Sequence, residues 1–123
     1  YASAFHFLSA SIQLKPNFPP SYMYLGIILA KLDDFNNARS AYRRAIEMES
    51  DHLFHLNYAI TLFNHASNLD KDESMKIFKE SGKQFSLAKE IFNGLDEETK
   101  KSDAEVKQKL GMLQRLLSTK VAV

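Results

Sequence analysis

Cysteine is absent from all 123 residues. Disulfides, thiolate zinc sites and a cysteine nucleophile are thereby removed together, and a reducing compartment is permitted. Glycine occurs four times, each time alone, so no glycine-rich loop can cradle a phosphate. The three prolines, Pro16, Pro19 and Pro20, fall close together near the start and leave the rest of the chain free of that helix breaker. No apolar run approaches the roughly 20 residues that cross a bilayer, and no signal-peptide pattern opens the chain. An excess of one charge is missing as well: 16 Lys and Arg stand against 15 Asp and Glu. Arg39, Arg43 and Arg44 cluster, but acids are interspersed elsewhere, so no general polyanion-binding surface follows and nucleic acid is not an expected partner.

What is present is a soluble, globular composition, 45% hydrophobic and 25% charged, at a length that suits one compact unit. Tyr22, Leu25, Gly26, Leu29, Ala38, Tyr42 and Ala45 stand at the spacing of one complete tetratricopeptide repeat. Ala4, Leu8, Ser11, Leu14 and Pro16 lie 34 residues before Ala38, Tyr42, Ala45, Met48 and Ser50, as the back half of an earlier repeat. Downstream, the segment from Asn57 to Leu62 repeats the one from Tyr24 to Leu29, with one residue deleted. The expected fold is therefore all-α: a tetratricopeptide-repeat helical solenoid of antiparallel helix pairs, closed by C-terminal capping helices. Small residues should let backbones approach, with Gly26 meeting Ala38 and Ala59 meeting Ser74.

Four segments follow: 1–18, the second helix of a truncated repeat; 19–51, the complete repeat; 52–93, a repeat with a loop insertion and an elongated helix; and 94–123, a capping helix and tail. Helices are predicted over 2–15, 20–32, 35–49 and 53–66, with Asp34 placed to cap the third. The polar stretch from Ser67 to Asp72 reads as a loop about three residues longer than the repeat requires. After it, Ser74, Phe78 and Ser81 take the places of Ala38, Tyr42 and Ala45 in a long helix ended by Asn93-Gly94. A last helix over 103–118 carries Val106, Leu110, Leu113 and Leu117 on one stripe, and Gly111 inside it suggests a close contact. Because the chain opens at Tyr1 in the middle of a repeat, it is expected to be a piece of a longer protein.

Catalytic and metal chemistry find no support. His52 and His55 share a helix face without a third ligand nearby. Asp70, Asp72 and Ser74 resemble half a calcium loop, but Met75 stands where Gly is needed and Ser81 where a bidentate Glu is needed. Asp96-Glu97-Glu98 reads as a solvated turn or helix start rather than an acid-base pair. No nucleophile elbow accompanies the Ser, His and Asp present. The chain is thus expected to be no enzyme and to hold no cofactor or metal.

Binding surfaces follow from repeat geometry. The first helix of each stacked pair lines the concave side, which places Met23, Tyr24, Ile27 and Lys31, then Leu56, Asn57, Ile60 and Asn64, at a candidate protein-binding groove. For Met23, Ile27, Leu56 and Ile60 the competing reading is core between repeats. Met23→Glu and Ile60→Glu are expected to abolish binding without unfolding, whereas Gly26→Leu should unfold the repeat. Asn57 matches one asparagine of the clamp by which some repeat proteins hold acidic chaperone tails, but Met23, Tyr24 and Leu56 put apolar groups at its other positions. An apolar or helical ligand is favoured. Phe5, Leu8 and Ile12 form a face that the truncation leaves exposed, and such a face invites self-association.

The run Ser3-Ala4-Phe5-His6-Phe7-Leu8-Ser9-Ala10, then Leu32-Asp33-Asp34 with Asn37-Ala38-Arg39 and Ala41-Tyr42, Leu56-Asn57-Tyr58-Ala59, and Gln108-Lys109-Leu110-Gly111 carry a narrower likeness. They resemble the C-terminal repeats of the Bardet-Biedl syndrome protein four family, with His6 and Phe7 the most telling residues because packing does not dictate them. The resemblance implies a BBSome subunit: a non-catalytic scaffold in ciliary membrane-protein trafficking and ciliogenesis. It implies other BBSome subunits and centriolar-satellite or dynein-dynactin components as partners. It also implies a cytoplasmic location at the cilium, basal body and centriolar satellites. The loop from Asn68 to Asp72 departs from that family's pattern. Two other classes stay open: a co-chaperone-type adaptor, and the substrate-selecting repeat region of a larger protein-modifying enzyme.

Overall fold

The computed structural model describes residues 1–122, which form seven helices and no strand among the described residues. They are α1 Ala2–Leu14, α2 Pro19–Lys31, α3 Phe35–Met48, α4 His52–Ala66, α5 Lys71–Asn93, α6 Glu97–Ser102 and α7 Ala104–Ser118. Successive helices pack as hairpins, α2 on α3 and α4 on α5, while α2 also lies against α4 and α4 against α7. The result is an all-α helical repeat fold of tetratricopeptide type.

Local chemistry sets the boundaries. Pro19 begins α2 in the first turn, where a missing N–H costs nothing. At its other end Asp33 takes a left-handed φ of 60°. Its N–H bonds the Ala30 carbonyl at 3.1 Å and that of Asp34 bonds Leu29 at 2.9 Å, so the last carbonyls are satisfied as in a Schellman motif. Asp51, Asp70, Asp96 and Asp103 cap α4, α5, α6 and α7 by accepting from Leu53, Glu73, Thr99 and Val106 N–H. Asp34 does not serve α3 in this way. Its carboxylate accepts from the Asn37 side chain at 2.8 Å instead, leaving the first turn without a side-chain cap.

Three buried clusters run along the molecule. Leu29, Ala38 and Ala41 join α2 to α3, with Phe5 of α1 packed on them. Met23, Tyr42, Ala45, Phe54, Tyr58 and Leu62 join α2, α3 and α4. Leu56, Ala59, Phe85, Ala88, Phe92 and the α7 stripe Val106, Leu110, Leu113 and Leu117 join α4, α5 and α7. Each large apolar side chain so buried contributes roughly 1.5–3 kcal/mol.

Several expectations are corrected by this packing. A Cβ built on Gly26 would meet the ring of Tyr42 first, so the glycine makes room for a flat aromatic ring. The close approach at Ala59 is with Ser81, whose hydroxyl donates to the Ala59 carbonyl at 2.7 Å, whereas the Ser74 hydroxyl turns to Lys71. The loop after α4 is shorter than expected: Asp70 caps α5, so Lys71 and Asp72 are already helical. The reading of Asp96-Glu97-Glu98 as a helix start holds, since Asp96 caps α6 over residues 97–102. Gly111 meets nothing closer than an Arg115 nitrogen at 3.7 Å, an ordinary contact, so no tight packing explains it.

Phe5, Leu8 and Ile12 are not the uncovered face of α1. All three are half-buried: α1 packs against α2, and Phe5 lies on the cluster of Leu29, Ala38 and Ala41. The uncovered apolar side chains of α1 are Phe7, 77% exposed, and Leu14, 88% exposed.

Candidate protein-binding cleft

The inner row of helices, α2, α4 and α7, borders a cleft of about 720 Å³. From α2 come Ile27, Ala30 and Lys31, and from α4 come Asn57, Ile60, Thr61, Asn64 and His65. Lys109 and Met112 of α7 close the opposite side. Ile27, Ile60 and Met112 give the lining its apolar surface, and amides, the ammonium groups of Lys31 and Lys109 and the carboxylate of Asp33 give it polar groups. Such a mixture suits a ligand held by an apolar anchor and oriented by a few polar contacts.

Five of the eight groove candidates, Ile27, Lys31, Asn57, Ile60 and Asn64, are brought together here. The other three are not. Met23 and Leu56, at 5% and 1% exposure, are core: Met23 packs with Tyr42 and Tyr58, and Leu56 packs in the cluster that α7 completes. Helices of a stacked repeat are covered on more than one side, and one residue of helical phase decides which apolar group reaches the cleft. Tyr24 is half exposed but outside the lining. Lys109 and Met112 were missed because α7 reads as a cap. Treating it as the first helix of a further pair would have found them, since they sit beside the buried stripe as Ile27 and Ile60 sit beside theirs.

The polar groups of the wall are largely committed. Asn57 donates its amide to the Leu53 carbonyl at 2.9 Å and to Met23 Sδ at 3.4 Å, so its donors face its own helix and α2. The amide therefore offers an acceptor to a ligand and no strong donor to a carboxylate. Tyr42 and Thr61 hydroxyls share a hydrogen bond of 2.9 Å, and burial pushes the Tyr42 phenol up to about 12. His65 stacks flat on Phe35, with ring centroids 3.6 Å apart. Desolvation and then the Arg39 charge hold its imidazole below the ordinary value.

Behind the cleft one carboxylate ties α3 to α5 across α4. Glu80 accepts from Arg39, from Arg43 at 3.3 Å and from the Tyr58 hydroxyl at 3.1 Å. Burial, followed by the Glu80 charge, raises the Tyr58 phenol. Two members of the arginine cluster are thus structural, and the third, Arg44, lies 3.9 Å from Glu47.

The histidines are placed for packing. His55 Nδ1 donates to Gln84 Oε1 at 2.6 Å and is buried, while His52 tilts against Phe92. Among the described residues no three His, Asp or Glu side chains are grouped to hold a metal ion. Asp70, the supposed first calcium ligand, is engaged in capping α5. Asp96, capping α6, has its carboxyl held below the usual range by the Thr99 hydrogen bond. No helix among the described residues is long and apolar enough to cross a membrane.

Stacked helix pairs with an apolar cleft along their inner row define a segment of a tetratricopeptide-type repeat protein. No family model and no solved structure matches the chain. It is 38% identical over 112 residues to BBSome complex member BBS4 of Xenopus tropicalis, covering 90% of this chain and 20% of that protein. It is 39% identical over 90 residues to BBSome complex member BBS4 of Bos taurus, covering 72% of this chain and 17% of that protein. With the BBS4 homolog of Drosophila melanogaster the identity is 52% over 48 residues, covering 39% of this chain and 10% of that protein. Over this segment the chain belongs to the BBS4 family. It spans about a fifth of the length of the curated relatives it matches.

Proposed function

We propose that this segment acts as a non-catalytic scaffold in a BBSome subunit, holding a segment of a partner protein in the cleft between α2, α4 and α7. The observation that carries the reading is that cleft, lined by apolar Ile27, Ile60 and Met112 together with amide and charged side chains, in a chain of BBS4 ancestry. The partners are other BBSome subunits, with centriolar-satellite or dynein-dynactin components as further ones. The setting is the cytoplasm at the cilium, basal body and centriolar satellites, and the process is ciliary membrane-protein trafficking and ciliogenesis.

The chain's own residues argue against the co-chaperone alternative. A carboxylate clamp needs convergent donors, yet the Asn57 amide is turned into the protein and Met23 and Leu56 are buried. Affinity purification of the full-length protein from ciliated cells tests the reading. Recovery of other BBSome subunits, reduced by Ile27→Glu or Met112→Glu in the cleft, is the expected outcome. Recovery of a chaperone through its acidic tail, with no BBSome subunit, would overturn it.

A further inference from the structure

A second cleft, of about 410 Å³, lies on α5 and the turn that follows α7, and it shares no lining residue with the first. Met75, Gly82 and Val121 supply apolar surface, while Lys79, Lys83 and Lys120 bring three ammonium groups to it. None of the three has an ion-pair partner among the described residues. Their convergence does not reflect a basic chain, whose net charge is only +1.

The acids of α5 are directed elsewhere. Glu80, between the two lysines in sequence, is turned to Arg39, Arg43 and Tyr58. Asp72 and Glu90, nearest on that face by helical spacing, are outside the lining. Lys79 and Lys83 are therefore a like-charge pair at i,i+4, which destabilises a helix unless a counter-charge relieves it. Lys120 is held in place, its Nζ 5.5 Å from the centre of the Phe78 ring.

We propose that this cleft docks an acidic protein segment, its carboxylates paired with Lys79, Lys83 and Lys120 and one apolar side chain seated on Met75, Gly82 and Val121. Charge complementarity selects the acids, and the apolar floor distinguishes a polypeptide from a bare anion. A phosphate site would be better served by the planar fork of arginine, and no arginine lines the cleft. A membrane surface is disfavoured because Met75 is the only large apolar group of the lining that is substantially exposed, at 39%.

Fluorescence anisotropy of the 123-residue chain tests this, with a labelled peptide Gly-Glu-Glu-Leu-Glu-Glu-Leu-Gly as probe. Binding that weakens with added salt, and is lost when every Glu of the peptide is replaced by Gln, is expected. Lys79→Glu with Lys83→Glu should weaken binding by about tenfold or more, as reversal of complementary charges does. Circular dichroism should leave that variant's helicity unchanged, since both lysines are exposed. Lys31→Glu, in the other cleft, should leave binding of this peptide unaltered. Failure of the peptide to bind, equal binding by the double variant, or binding to phosphatidylserine vesicles in place of the peptide would each overturn the proposal.

Discussion

The ring of Tyr42 lies so close to Gly26 that a Cβ built on the glycine would stand 2.9 Å from two of its carbons. That ring cannot retreat. It is fully buried, stacks on Tyr58 with centroids 5.2 Å apart, and is tethered through its hydroxyl to Thr61. Even Gly26→Ala should therefore destabilise the chain, by about 1–3 kcal/mol through overpacking, despite the better helix propensity of alanine. Urea denaturation followed by circular dichroism reads the shift in midpoint, and an unchanged or raised midpoint would refute the clash.

Glu80 offers a second test. Replacing it with Ala removes the shared acceptor of Arg39, Arg43 and Tyr58 and leaves a partly buried guanidinium whose Nε already lacks a partner. A loss of about 1–3 kcal/mol is expected, because unpaired buried donors cost their full desolvation. In the double variant Glu80→Ala with Tyr58→Phe, the losses should not add, since both changes act on one hydrogen-bond network. Additive losses would mean that the carboxylate and the phenol act independently.

These two contacts show where sequence reading reaches and where it stops. Helical spacing places the buried stripe of α3, and the α7 stripe from Val106 to Leu117 is buried as periodicity predicts. Spacing does not say which neighbour meets each stripe. The Tyr42 ring closes over Gly26, and Met23 and Leu56 enter the core while Ile27 and Ile60 reach the cleft. Those outcomes depend on the crossing of helices far apart in sequence, which local periodicity does not encode. Asp34 fails as a cap for a nearer reason: Asn37 competes for its carboxylate.

The His65 stack should make stability depend on acid. Its folded-state imidazole titrates below the ordinary value of 6.5, so the unfolded chain binds the proton more readily. Its stabilising effect is present above pH 6.5 and is lost as pH falls through that value towards the depressed one. His65→Phe keeps a ring against Phe35 and removes the titration. Relative to that variant, the wild type should lose stability between pH 7.5 and 5.5 in paired urea titrations. Parallel curves would remove His65 as a contributor.

Met23 separates folding from recognition. Its side chain is 5% exposed among Tyr42, Tyr58 and Phe54, so Met23→Glu should unfold the repeat rather than spare it, because a lone carboxylate there has no cation to pair with. Lys31→Glu and Asn64→Asp change exposed groups of the cleft wall and should alter stability by less than about 0.5 kcal/mol. If the cleft holds a partner segment, those two variants of the full-length protein lose that partner while melting as the wild type does. Retained partner binding in both, alongside the collapse of Met23→Glu, would move recognition off the inner row of helices and onto another face of the solenoid.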